Sequence, residues 1–114
     1  MKDEILKHLF DIKEAASAIL SFVKDKTFDD YNRDELMRSG VERKFEIIGE
    51  ALNRIKRTDP AILNKIGECR SIVSFRNILA HGYDSIDHRI VWEVIHDDLA
   101  KLFGDVIQLM RENE

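Results

Sequence analysis

The stretch VERKFEIIGEALNRI, residues 41–55, decides the fold class because its apolar residues recur at the spacing of an α-helix. They advance by four, three, four and three residues and so share one face of a helix with 3.6 residues per turn. Residues 5–23 repeat the pattern and predict a second long helix, ending near residues 25–26. The apolar positions are Val41, Phe45, Ile48, Leu52 and Ile55 in one run, and Ile5, Leu9, Ile12, Ala16, Ile19 and Val23 in the other.

Start and stop signals predict two shorter helices. Thr27 followed by Asp30 resembles a capping box, with aspartate in the place of glutamate, and opens a short helical turn. Asp59-Pro60 is a second helix start, with the aspartate as N-cap and the proline at the first helical position. This second helix is short, from Pro60 to about Ile66, and Gly67 ends it.

Two further helices are predicted over about 70–81, with Gly82 as the stop, and from about 87 to 110. The chain has only five glycines and one proline in 114 residues, which leaves little room for the turns of an all-β fold. We therefore expect an all-α, up-and-down bundle of four to five helices that forms a single domain over residues 1–114.

Composition excludes several classes of protein. The single cysteine, Cys69, rules out an internal disulfide framework and a multi-cysteine zinc site. The charged N-terminal sequence does not resemble a secretory signal, and no apolar run approaches the roughly 20 residues of a membrane span. These features predict a cytoplasmic protein with no membrane partner.

The charge is distributed unevenly along the chain. The formal net charge is −4, yet residues 54–83 contain six basic and two acidic residues. An acidic protein with one basic segment can present a surface that attracts anions such as nucleic acid. The basic residues of this segment are Arg54, Lys56, Arg57, Lys65, Arg70 and Arg76.

The predicted helix over 70–81 carries a polar strip. Arg70, Ser74, Asn77 and His81 stand at positions i, i+4, i+7 and i+11, so Asn77 and His81 lie one turn apart and can touch. His81 falls in the last turn, where the helix dipole favours its charged form and suits it to general acid–base chemistry. A helix-capping role for His81 is the alternative.

Arg76 instead falls on the apolar flank of this helix. A guanidinium there must find a carboxylate, a phosphate or water, since an unpaired buried charge is very costly. Glu46 and Glu50 are the expected structural partners, and Gly49 between them is expected to permit a close approach of two helices. The other histidines match no metal-ligand spacing and are expected on the solvated surface: His8, His88 and His96.

The stretch RNILAHGY, residues 76–83, resembles the signature of the HEPN superfamily, in which an arginine and a polar residue precede a histidine and a tyrosine. The segments EIIGEAL at 46–52 and DSIDHRIVWEVIHDDL at 84–99, with the Asp59-Pro60 turn, are similar to HepT-type toxins. The resemblance covers about residues 3–112. Ser74-Phe75 departs from it, because a small residue followed by an aliphatic one is expected before the arginine.

The resemblance implies an endoribonuclease toxin of a type II toxin–antitoxin system that works as a homodimer without metal or cofactor. Arg76 and His81 are then the catalytic residues, and Asn77 supports them. Tyr83 corresponds to the residue that a minimal nucleotidyltransferase antitoxin silences by attaching AMP. One candidate catalytic histidine per chain cannot comfortably serve as both base and acid on opposite sides of a phosphate, so a second copy is also expected on chemical grounds.

A non-enzymatic alternative remains open at the level of sequence. A helical module that binds a nucleotide, RNA or a partner protein would use Arg76 and His81 as ligands only. The net negative charge keeps this alternative open, because strong RNA binders are usually basic.

Overall fold

A computed structural model of the chain describes residues 1–80 and 86–114. Within these ranges the chain is helical and contains no strand, which confirms the predicted all-α class. The predicted stop at Gly82 lies outside the described residues. The helices are α1 (Asp3–Val23), α2 (Phe28–Arg33), α3 (Glu35–Thr58), a 3₁₀ helix (Pro60–Lys65), α4 (Cys69–Ala80), α5 (His88–Val94) and α6 (Ala100–Glu112).

Helix α3 is the centre of the bundle. It packs against α1 along most of its length and against α4, α2 and the 3₁₀ helix, while α6 covers another side of α1. The apolar faces predicted for α1 and α3 are buried, as their spacing requires. The core therefore lies between α1 and α3 and continues into α4 and α6.

Helix α2 is fixed by its N-terminus. Thr27 Oγ1 accepts a hydrogen bond from the backbone N–H of Asp30 at 3.1 Å, and Asp30 Oδ2 accepts one from the N–H of Thr27 at 2.9 Å. This reciprocal pair is the predicted capping box. It presents Tyr31, which is fully buried with its ring 5.4 Å from that of Trp92 in α5. The cap thus anchors a helix too short to be stable alone.

Two predicted elements differ from the structure. Asp59 does not cap with its side chain. Its N–H closes α3 on Ile55 O, and its carbonyl accepts from Ile62 N, so the backbone makes the turn into a 3₁₀ helix. The predicted C-terminal helix is interrupted by a π-helical turn over Ile95–Leu99 between α5 and α6. No glycine or proline marks this turn in the sequence.

No helix in the described part of the chain is both long and apolar enough to cross a bilayer.

Replacing the capping threonine tests the link between α2 and the bundle. We expect Thr27→Ala to lower the unfolding free energy by about 1 kcal/mol, because it leaves a backbone N–H of α2 without its acceptor. Ser17→Ala, at an exposed position inside α1, is the matched control and should change stability by less than about 0.5 kcal/mol. Urea unfolding followed by circular dichroism measures both, and equal effects of the two variants would contradict the assignment.

Candidate active site

Helix α4 is held against α3 by its buried side chains Ile72 and Phe75. The Phe75 ring packs edge-on against Phe45 of α3, with centroids 5.0 Å apart and planes at 86°. Phe75 thus fills core space at the position where the HEPN resemblance calls for an aliphatic residue. The aromatic pair fixes the rotation of α4 and turns the next residue, Arg76, towards α3.

Arg76 crosses α3 at Gly49. A β-carbon placed on Gly49 would lie 2.6 Å from Cβ of Arg76 and 3.0 Å from its Cδ, closer than side chains pack. These atoms belong to the stem of the arginine, which cannot move aside without moving α4. The expectation that Gly49 permits a close helix approach is confirmed, and the atoms that use the space are those of Arg76.

The Arg76 guanidinium is bound at two points. Its Nη2 lies 3.3 Å from Oε2 of Glu50, and its Nη1 donates to Oδ1 of Asn77 at 3.1 Å. Of the two expected partners, Glu50 is therefore the one that pairs with Arg76, whereas Glu46 pairs with Arg43 at 3.2 Å. The Arg76 side chain is 26% exposed, so part of the guanidinium still faces solvent.

Glu50 also contacts two other arginines. Its Oε1 lies 3.2 Å from Arg54 Nε and 3.9 Å from Arg57 Nη2. One carboxylate therefore shares its charge among three guanidinium groups. Arg76 has five N–H donors, and only those to Glu50 and Asn77 are engaged within the described residues. The arrangement orients Arg76 and leaves it able to bind a further anion.

The cleft beside Arg76 encloses about 280 Å³ between α1, α3 and α4. Basic and acidic side chains both line it, and His8 contributes from α1. The expectation of a solvated His8 is wrong, because the residue is only 7% exposed. It stands three residues after Ile5 and four before Ile12, on the packed face of α1, and this spacing was the signal that could have revealed it.

The two other histidines differ from each other. His88 is partly buried and meets the Tyr31 ring edge-on at 6.5 Å, so its predicted solvated position is only partly right. His96 is exposed, as predicted, and its Nδ1 lies 2.8 Å from Trp92 O. Within residues 1–80 and 86–114, no three His, Cys, Asp or Glu side chains are grouped to hold a metal ion.

The structure brings together part of the predicted site. Arg76 and the exposed Asn77 are adjacent on α4 and joined by a hydrogen bond, close to the helix end at Ala80. His81, which follows Ala80 in the sequence, and Tyr83 lie outside the described residues. The predicted contact of Asn77 with His81 stays a prediction.

Alanine at Gly49 tests the crossing of Arg76. We expect Gly49→Ala to lower the unfolding free energy by about 1–3 kcal/mol, because the new methyl group collides with the arginine stem. Gly104→Ala in α6 is the matched control, since nothing lies within 4 Å of its added β-carbon. That control should gain up to about 1 kcal/mol from helix propensity. Chemical unfolding of both variants measures the two changes in unfolding free energy. A Gly49→Ala variant that is more stable than wild type would contradict the close contact of Arg76 with Gly49.

Comparison with known proteins identifies the family of the chain. The sequence profile of the family described as HepT-like ribonuclease matches residues 12–109. A protein of Methanocaldococcus jannaschii named as an inferred RNase, MJ1380, is 30% identical over 92% of this chain and 95% of its own length. A protein of Thermococcus cleftensis named as a probable ribonuclease HepT is 32% identical over 97% of this chain and 100% of its own.

A longer relative carries the same region beside another activity. A protein of Methanocaldococcus jannaschii named as a gamma-glutamylcyclotransferase and inferred RNase, MJ0434, is 30% identical over 98% of this chain and 50% of its own length. No solved structure matches. With a family match over most of the sequence and relatives aligned nearly end to end, this chain belongs to the HepT-like ribonuclease family.

Proposed function

We propose that this chain is a metal-independent endoribonuclease, the toxin of a type II toxin–antitoxin pair, with an active site composed across a homodimer. The observation that carries the proposal is the guanidinium of Arg76, oriented by Glu50 and Asn77 and still partly open to solvent. A planar, oriented cation of this kind suits the phosphodiester of RNA. The ribonuclease names of the relatives support the same substrate.

The proposed reaction uses the 2′-hydroxyl of RNA as the nucleophile. One His81 takes the proton from that hydroxyl, and O2′ attacks the adjacent phosphorus. The bond from phosphorus to O5′ breaks, and a second His81 protonates the departing oxygen. One product ends in a 2′,3′-cyclic phosphate and the other begins with a 5′-hydroxyl, and no water molecule is consumed in this step.

A second copy of the chain completes this site. A two-fold axis beside the end of α4 would supply the second His81 and a second Arg76. The two guanidinium groups then hold the non-bridging oxygens of the scissile phosphate and stabilise the charge that develops during attack. Asn77 accepts the hydrogen bond from Arg76 at its Oδ1, which leaves its amide N–H groups for His81 or the substrate.

Tyr83 is the proposed point of control. It stands two residues after His81 in the sequence, and a nucleotidyltransferase antitoxin attaches AMP to it in this proposal. The added phosphate carries negative charge close to the proposed phosphate site. It therefore competes with RNA for Arg76 and blocks cleavage.

Cleavage of total cellular RNA in excess EDTA tests the proposed reaction. Wild type should cleave and leave cyclic-phosphate ends, whereas His81→Ala should lose at least about 100-fold in rate, the usual contribution of a general acid or base. A circular dichroism melt must show that the variant is folded. Equal cleavage by both proteins, or 3′-hydroxyl ends, would rule out this mechanism.

The tyrosine variant tests the proposed control. Tyr83→Phe removes the hydroxyl that accepts AMP, so it should stay toxic when expressed alone and remain toxic when the antitoxin is co-expressed. Growth curves and the intact mass of the purified proteins report the two properties. Loss of toxicity in the absence of antitoxin would instead give Tyr83 a direct part in cleavage or packing.

A further inference from the structure

We infer that a second cavity, on the other side of α4 from the cleft, is a subsite for a nucleotide of single-stranded RNA next to the scissile phosphate. The cavity is open to solvent on one side and has a volume of about 600 Å³ between the C-terminal half of α3, the 3₁₀ helix and the N-terminal half of α4. That volume lies within the range of small-ligand sites. The inference rests on the proposed function and adds a part of the substrate to it.

The polar groups of the cavity suit a nucleotide. Lys56 and Arg70 line it, both are exposed, and neither makes an ion pair with any residue that the structure describes. Two side-chain amides, of Asn53 and Asn64, also line it. Cations of this kind bind phosphate, and amides can read the hydrogen-bonding edge of an unstacked base. Glu68 is the acidic residue in the same wall, so the local balance stays positive.

The rest of the wall is mostly apolar. Leu63 and Val73 are partly exposed and supply a surface against which a base can lie. Cys69 is also in the wall, but burial and the nearby carboxylates of Asp105 and Glu68 raise the pKa of its thiol to about 11. A thiol that is neutral at physiological pH is a weak nucleophile. The cavity is therefore built to bind a ligand rather than to react with it.

Helix α4 connects the cavity to the proposed active site. Arg70 and Ser74 line the cavity, and Asn77 follows them on the same face at spacings of four and three residues. The rise from Arg70 to Asn77 is ~10.5 Å along the helix. Asn77 also holds the Arg76 guanidinium by a hydrogen bond of 3.1 Å. A strand whose phosphate lies at Arg76 can therefore pass over Asn77 onto this face and place the neighbouring nucleotide in the cavity.

The same lining argues against a second protein chain as the occupant. Lysine and glutamate are depleted in the core of protein–protein interfaces, whereas Lys56 and Glu68 both line this wall. The protein has a net charge of −4, but its basic side chains are concentrated in the segment over residues 54–83. In an acidic protein, such a local positive charge is where a nucleic-acid contact is expected.

Binding of a probe that cannot be cleaved tests the subsite. The probe is a fluorescein-labelled 12-nucleotide RNA of mixed sequence with 2′-O-methyl groups, and the readout is fluorescence anisotropy at several salt concentrations. The double variant Lys56→Gln, Arg70→Gln should weaken binding roughly tenfold or more and lower the salt slope by about 1.4, which is 0.7 for each lost phosphate contact. Lys65→Gln is the matched control.

Lys65 belongs to the same basic segment and is exposed, but it does not line the cavity. Its substitution should change affinity less than twofold. An equal effect of the control and the double variant would mean diffuse attraction by the segment and would overturn the subsite. A double variant that binds like wild type, or that loses dimerisation in sedimentation velocity and keeps its RNA affinity, would overturn it too.

A second measurement concerns the base. The 5′-hydroxyl ends of cleaved cellular RNA are sequenced to give the nucleotide preference at each position around the cut. Asn64→Ala should remove the preference at one position beside the cut and leave the preferences at the other positions unchanged. An unaltered preference at every position would remove the role of Asn64. If the wild-type protein cleaves RNA and both variants behave like it, the subsite alone is overturned. If the wild-type protein neither binds nor cleaves RNA, the proposed function is overturned as well.

Discussion

The Arg76 side chain crosses α3 at Gly49 and ends against Glu50, and the position of α4 depends on that crossing. The contact joins packing to electrostatics, because the stem of the arginine fills the space of a missing β-carbon while its guanidinium is held by a carboxylate. The Phe45–Phe75 pair fixes the neighbouring turn of α4. Together these two contacts place the Arg76 guanidinium at the edge of an otherwise apolar helix contact. There the guanidinium loses little hydration and can still bind a ligand.

Helical periodicity in the sequence predicts most of the fold. The buried faces of α1 and α3 follow directly from residue spacing, and the Thr27–Asp30 cap follows from two residue types at the right distance. The π-helical turn over Ile95–Leu99 has no local signal, because no glycine or proline marks it in the sequence. Glu68, just before α4, has a φ of 65°, a conformation that its residue type does not predict.

The candidate site, like the fold, is predictable from the sequence only in part. Arg76 on an apolar flank requires a partner, and helical spacing limits the choice to Glu46 or Glu50, but only the packing of α3 on α4 selects Glu50. The cavity lined by Lys56 and Arg70 was not predicted, because its walls come from three separate segments of chain. His8 is a simpler case, because its place on the buried face of α1, and not its polar residue type, predicts its burial.

The three arginines around Glu50 have a consequence for ligand exchange. When an anion draws Arg76 away, the carboxylate keeps Arg54 at 3.2 Å and Arg57 at 3.9 Å as neighbours. The Glu50 side chain is also 40% exposed, so its carboxylate is not left as an unpaired buried charge. In the proposed function, Glu50 therefore holds Arg76 in place at rest and gives it up to an RNA phosphate at small cost in free energy.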